Sequence, residues 1–214
     1  MSTKRYKRNI HKGTRKNFIN KLKTIYPSCK FDTGLEDFSL YNGIDTTYGE
    51  MQYEGIQELY QYVTKNYNNK INTFIDLGSG RGKLCMYMAA QPKIKNVLGI
   101  ELVKERHNDA ENLKSQLQYE YANKVILINK NIFDVDLELY TNKQIFIWFS
   151  NLCFNQTGVI DIFKKLQNTL PKDTIICCSK PPTEPIGTYL NTIKVSMSWC
   201  DDSNVYIYKL LIRS

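Results

Sequence analysis

The residues best suited to chemistry lie in one short run. Phe74-Ile75-Asp76-Leu77-Gly78-Ser79-Gly80-Arg81-Gly82-Lys83 puts an acid two residues before a G-x-G-x-G turn, between a strand-like and a helix-like stretch. Glycine is needed where the backbone must turn tightly and approach a ligand that a Cβ would strike. The spacing is not the G-x-G-x-x-G of dinucleotide folds. An acid at the strand end suits a ligand carrying positive charge and suits a pyrophosphate badly. A second acid, Glu101, ends the next apolar stretch 25 residues after Asp76, where a carboxylate can accept both hydroxyls of a ribose. S-adenosylmethionine (AdoMet), a nucleoside with an ammonium and a sulfonium and no phosphate, fits this pattern. Asp76, Gly78, Ser79, Gly80 and Glu101 are therefore read as its binding residues.

The elements that must hold these groups alternate along the chain. Strands are expected at Thr73–Leu77, Asn96–Ile100, Lys124–Ile128, Gln144–Phe149 and Thr174–Cys178. Helices are expected at Gly82–Ala90, Lys104–Tyr121 and Gly158–Leu170. Two last strands, about Thr192–Trp199 and Val205–Ile212, flank the turn-like Cys200–Asn204. Before the first strand, Asn17–Tyr26 and Met51–Tyr67 carry helical apolar spacing, and Ser28–Gly49 reads as loop. Strand–helix alternation argues for a parallel α/β sheet covered on both faces. The expected fold is the Rossmann-like sheet of class I AdoMet-dependent methyltransferases, with a C-terminal antiparallel hairpin. The organisation is read as a basic arm with a short helix (1–30), a loop and helix lid region (31–70) and the methyltransferase domain (71–214).

Amino-methyltransferases of bases and nucleic acids usually carry an Asp/Asn-Pro-Pro-aromatic motif after the fourth strand. Here Trp148-Phe149-Ser150-Asn151-Leu152-Cys153-Phe154 stands there, and Pro181-Pro182 follows the fifth strand instead. Tyr48-Gly49-Glu50, Asp76–Gly82, Ser150–Phe154 and Ser179-Lys180-Pro181, with the late Ser198-Trp199 and Tyr206, resemble motifs of the disruptor-of-telomeric-silencing histone lysine methyltransferases. That family lacks a SET domain and methylates a lysine on the globular face of histone H3 in nucleosomes. The resemblance covers roughly residues 45–214.

The resemblance implies roles. Tyr48, Gly49 and Glu50 would close over the methionine end of AdoMet, and Glu101 would hold the ribose. Asn131 and Ile132 would lie at the adenine, and Ser150 and Asn151 at the point of methyl transfer, with Asn151 also touching the cofactor. Phe154 and Tyr206 would wall the acceptor channel. Ser150 replaces the first asparagine of the family's pair, Asn131 replaces an acid, and Met51 replaces a threonine. Taken singly, Trp148, Leu152 and Phe154 read as core residues as readily as channel walls. The acceptor lysine must be neutral to react, although its reference pKa is about 10.4, and an apolar-aromatic channel lowers it by desolvation.

Charge is unevenly distributed. The net +8 comes from an N-terminal stretch in which residues 1–30 carry ten cations and no acid, while the remaining 19 cations face 21 acids. Lys4, Arg5, Lys7, Arg8, Lys12, Arg15 and Lys16 are read as a nucleic-acid-binding arm, because clustered cations bind polyanions by counterion release. The expected partners are a nucleosome, through its histone and its DNA. A solvated tail or a nuclear-import signal is the plainer reading of the same charge. No apolar run is long enough to span a bilayer, so no membrane partner is expected. Six cysteines without C-x-x-C spacing argue against a metal site. The expected location is the nucleus, or a viral factory if the source is a virus. The abundance of Asn, Lys, Ile and Tyr suggests an AT-rich genome such as that of a protist or a large DNA virus. A non-histone protein lysine, RNA or DNA as acceptor, and a non-catalytic AdoMet-binding module are the competing readings.

Overall fold

Five short runs of β-branched and aromatic residues pair in parallel, and two later ones close the sheet antiparallel. The computed structural model describes residues 15–26, 47–67, 70–140, 144–185 and 187–211. Strands β1 (Thr73–Leu77), β2 (Asn96–Glu101), β3 (Val125–Asn129), β4 (Ile145–Phe149), β5 (Ile175–Cys178), β6 (Thr188–Val195) and β7 (Ser203–Lys209) form one sheet in the order β3-β2-β1-β4-β5-β7-β6. β7 lies between β5 and β6 and is antiparallel to both. The helices are α1 (residues 15–25), α2 (Tyr53–Asn66), α3 (Lys83–Ala89), α4 (Lys104–Ser115), α5 (Tyr119–Ala122) and α6 (Gln156–Thr169).

The side-chain alternation of the strands separates two apolar cores. Phe74, Val97, Phe146, Trp148 and Cys177 join Phe18 and Leu22 of α1, Ile56 and Leu59 of α2 and the apolar α3 in one core. Ile75, Leu77, Leu98, Ile147, Phe149 and Cys178 face the other way, against Val159, Ile162 and Phe163 of α6. The adjacent Cys177 and Cys178 thus face opposite sides, as period-two geometry requires. Helix α1 is anchored: Phe18 and Leu22 are fully buried, and the Phe18 ring lies 4.4 Å from that of Tyr121.

Strand β7 starts two residues earlier than expected, and three further elements differ from the sequence expectation for visible reasons. The long helix expected over Lys104–Tyr121 breaks into α4 and α5. Gln116 and Leu117 donate to Leu113 and Lys114, three residues back, and Gln118 is extended. Helix α6 starts at Gln156 rather than Gly158, because the Asn155 side chain accepts from the Gly158 amide at 2.8 Å and caps the end. Strand β6 lies four residues earlier than expected. Residues 196–198 pair instead with the segment before α2: Gln52 N donates to Ser196 O at 2.9 Å, Ser198 N donates to Glu50 O at 2.7 Å, and Met51 bridges Met197.

The register sets the site. Leu77 pairs with Ile100 on one side and Phe149 on the other, so Gly78, Glu101 and Ser150 emerge together at the carboxyl ends of adjacent strands. Chain order reverses at this point, since β1 lies between β2 and β4, and open α/β sheets bind ligands at such a switch point.

Candidate functional site

Two cavities meet at the carboxyl edge of β1. A wide one of about 450 Å³ is bordered by Glu101, Arg106, Asn131, Ile132 and Phe154. A small one of about 40 Å³ is bordered by Glu50, Asp76, Ser79, Lys83 and Trp199. Tyr48, Gly49, Gly78, Gly80 and Ser150 border both. The result is a polar chamber joined to a larger nucleoside-sized cleft.

The glycine turn is built for close approach. Gly78 and Gly80 have φ of +87° and +52°, in the left-handed region. A Cβ on Gly78 would meet nothing within 4 Å, so the space beside it is open to a ligand. A Cβ on Gly80 would lie 2.5 Å from the Tyr48 ring. Gly80→Ala should therefore cost about 1–2 kcal/mol of stability from backbone strain and push Tyr48 out of place. A thermal melt together with a cofactor titration checks this, and an unchanged affinity would refute the packing role.

Glu101 holds the turn from the next strand. One carboxylate oxygen accepts from Gly80 N at 2.7 Å and the other from Val103 N at 2.8 Å. The group is fixed at the wall of the wide cavity, and a carboxylate there suits hydroxyl donors.

Asp76 is the acid at the floor of the small chamber. It is 2% exposed, one oxygen lies 3.6 Å from the Cys85 thiol, and Oδ1 has no hydrogen-bond partner among the described residues. Burial drives its carboxyl well above the usual range, and the nearby Glu101 charge adds to this against the Cys85 bond. A buried, unpaired carboxylate is costly, and a cation arriving at Oδ1 would relieve that cost.

Glu50 faces a different partner. Its carboxylate accepts from Tyr26 and Tyr48 and lies 2.7 Å from the Lys83 ammonium, with both charged side chains almost wholly buried. Burial works to raise the Glu50 carboxyl, but the Lys83 ammonium and the two tyrosine hydroxyls outweigh it and hold it below its ordinary value. Burial and the Glu50 charge push the Tyr48 hydroxyl well up, so it stays a donor. The guanidinium carbons of Arg106 and Arg81 lie 4.6 and 5.2 Å from the centre of the Tyr48 ring, fixing the ring against the glycine turn.

Lys83, Tyr26 and Arg106 were not singled out from sequence. Lys83 had a readable signal: every residue of α3 is buried, so its first residue has no solvent face. Tyr26 reaches the site because Tyr53 donates to its carbonyl and holds the end of α1 in place.

The structure brings Tyr48, Gly49, Glu50, Asp76, Gly78, Ser79, Gly80, Glu101, Asn131, Ile132, Ser150 and Phe154 to the two cavities. The Asn131 side-chain oxygen already accepts from Phe133 N at 3.1 Å, capping the short turn Ile132–Asp134. Asn151 borders neither cavity. It is fully buried, donating to Lys180 O at 2.7 Å and accepting from Lys180 N at 2.8 Å, and so clasps the loop after β4 to the loop after β5. Tyr206 borders neither cavity either; it pairs with Cys178 in the sheet and, like Phe154, packs against the core on the α6 side. Of the arm, Arg15 and Lys16 lie on α1, whereas Lys4, Arg5, Lys7, Arg8 and Lys12 fall outside the described residues. Among the described residues no group of His, Cys, Asp and Glu is placed to hold a metal, and no helix is long and apolar enough to cross a membrane.

Residues 34–123 match the profile of the family described as "Histone methylation protein DOT1". A 54-residue stretch, 25% of this chain, is 44% identical to the H3 lysine-79 specific histone-lysine N-methyltransferase of Drosophila melanogaster. The match spans only 3% of that much longer relative. Among solved structures, a methyltransferase from Geobacter sulfurreducens is similar over 91% of this chain and 90% of its own, at 11% identity and a TM-score of 0.55. An RNA methyltransferase from Salinibacter ruber, in complex with S-adenosyl-L-homocysteine, covers 74% of this chain and 94% of its own, at 14% identity and a TM-score of 0.54. The chain has the class I methyltransferase fold, and its residues 34–123 are similar to the DOT1 family.

Proposed function

We propose that the chain is an AdoMet-dependent protein-lysine N-methyltransferase whose acceptor is histone H3 in nucleosomes, with the basic N-terminal stretch contacting their DNA. The observation that carries the cofactor is the buried, unpartnered Oδ1 of Asp76 in the small chamber, beside the open space at Gly78. The residues present fit AdoMet. Asp76 would hold its ammonium, Lys83 its carboxylate and Glu101 its ribose hydroxyls, with Asn131 and Ile132 on the adenine side. When bound, AdoMet supplies an electrophilic methyl group on sulfur.

The protein's own groups do the rest by positioning. Ser150 borders both cavities and so stands at their junction. Phe154, packed edge-on against Phe149 at 5.1 Å between ring centres, offers the apolar wall that keeps an incoming amine neutral. Asn151 acts as a positioning residue, since its amide bonds to Lys180 fix the loop carrying Ser150 and Phe154. No general base is needed if water takes the proton. The histone acceptor is supported by the likeness to the Drosophila melanogaster enzyme, whose substrate lysine is in H3. Such a substrate would place the protein in the nucleus, or in a viral factory if its source is a virus.

A labelled-methyl assay offering nucleosomes, free histone H3, DNA and RNA tests the reading. Label should enter H3 of nucleosomes, more weakly free H3, and neither nucleic acid. Label in RNA or DNA would overturn the protein acceptor, and no transfer to any of them would favour a binding module. Asn151→Ala should lower turnover by about tenfold or more through misplacement with cofactor affinity nearly unchanged. A parallel loss of affinity would instead place Asn151 in the cofactor site.

A further inference from the structure

A third cavity, of about 260 Å³, lies away from the cofactor site, where α1, α2 and the C-terminal end of α3 meet. Helix α3 begins at the glycine turn and ends just before this cavity, roughly 10 Å further on at 1.5 Å per residue, so the two sites lie at opposite ends of one helix. Its wall is polar and built. Gln91, 1% exposed, donates to Tyr87 O at 3.1 Å and accepts from Arg15 at 2.6 Å. Tyr87, 3% exposed, donates to Gln57 at 3.5 Å. The Arg15 guanidinium is thereby held in one orientation, yet its Nε is buried with no hydrogen-bond partner among the described residues. Lys93 adds a second cation at the rim, the Tyr60 hydroxyl stands on the wall, and no acid borders the cavity. Burial raises the Tyr60 hydroxyl against the opposing Arg15 charge, which leaves it protonated and able to donate.

Two cations and a donor hydroxyl around a water-accessible space, with no acid to neutralise them, form a receptor for an anion. Arg15 borders this space, and a planar guanidinium suits a phosphate, which can accept from it at two oxygens. The sequence before Arg15 is itself polycationic: residues 1–14 carry Lys4, Arg5, Lys7, Arg8 and Lys12 and no acid. A phosphate site bordered by Arg15 and preceded in sequence by five further cations suits a phosphodiester chain better than a free ion.

We infer that the Arg15–Lys93 cavity is a phosphate-docking site for a nucleic-acid backbone on the folded body, separate from the cofactor site. It binds through its cations to backbone phosphates, contacts that carry no sequence information, so sequence has little influence on affinity.

The test measures binding of the full chain to a 20-base-pair duplex and to a single-stranded RNA of equal length across a salt series. Inorganic phosphate serves as a third probe. Arg15→Gln and Lys93→Gln should each reduce the salt slope by about one and weaken binding roughly eightfold at 0.1 M salt, the share of one released counterion. Lys194→Gln, which removes an equal charge from the exposed edge strand β6, serves as control and should change binding far less. Equal losses in all three variants would reduce the site to general surface charge and overturn the inference. Saturable binding of inorganic phosphate, lost in Arg15→Gln while oligonucleotide affinity is unaffected, would overturn it in favour of a small-anion site.

Discussion

Asp76→Asn should stabilise the cofactor-free protein and sharply weaken its cofactor binding in the same step. The carboxylate is buried, and Oδ1 is unpaired among the described residues, so folding desolvates a charge without compensation. Because burial raises its pKa above the unfolded value, this carboxyl weakens the fold progressively as pH climbs from the ordinary carboxylate range through the raised native value. Asparagine keeps the shape and removes that dependence. The melting temperature of the variant without cofactor should therefore exceed that of the native protein at neutral pH, with the gap closing towards acid pH. Cofactor affinity should fall about a hundredfold or more, since losing one partner of a buried charge pair costs about 2–5 kcal/mol. Calorimetric titration with S-adenosylhomocysteine and paired melts across pH measure both. A variant that binds normally would remove Asp76 from the site.

The second large effect concerns the Glu50–Lys83 pair. Lys83→Met leaves the Glu50 carboxylate buried beside the tyrosine hydroxyls without its cation, and breaking such a pair costs about 3–5 kcal/mol. Glu50→Gln combined with Lys83→Met removes both charges and should recover much of that stability. Binding should not recover with it, because the cation that meets the ligand's carboxylate is absent from the double variant. A denaturant-unfolding cycle over the four proteins gives the coupling, and the titration gives the function. Recovery of affinity in the double variant would show that Lys83 serves only to neutralise Glu50. The pair also sets an acid limit. Glu50 titrates below its ordinary value, so its contribution is intact above that value and lost as pH falls through the depressed one.

What could be read from the sequence was local. β1 and the glycine turn lie where their pattern puts them, because five apolar-flanked residues and three glycines leave little choice of conformation. Glu101 could be placed by counting, since parallel strands of similar length end at a common edge. Long-range pairing was not legible. Nothing in Thr192–Trp199 announces that its second half leaves β6 to bond the backbone of Glu50 and Gln52, and this choice alone shifts the strand. Asn151 was legible as a special residue but not by its partner. Its amide serves Lys180, 29 residues away, through a clasp visible only once β4 and β5 lie side by side. Tyr206 was drawn from the resemblance, and the pleat sets it on the α6 side, bordering neither cavity.

The pairing of residues 50–52 with 196–198 has a consequence for motion. The wall of the small chamber on that side is not a free flap, because its backbone is part of an extension of the β6–β7 hairpin. To swing it outward, the bonds from Gln52 and Ser198 must break together and the end of the hairpin must peel with them. The amide hydrogens of these two residues, far apart in the chain, should therefore exchange with solvent in a single event with a common rate. That rate sets a ceiling on how fast the chamber can be emptied from this side, whatever the speed of the reaction inside it.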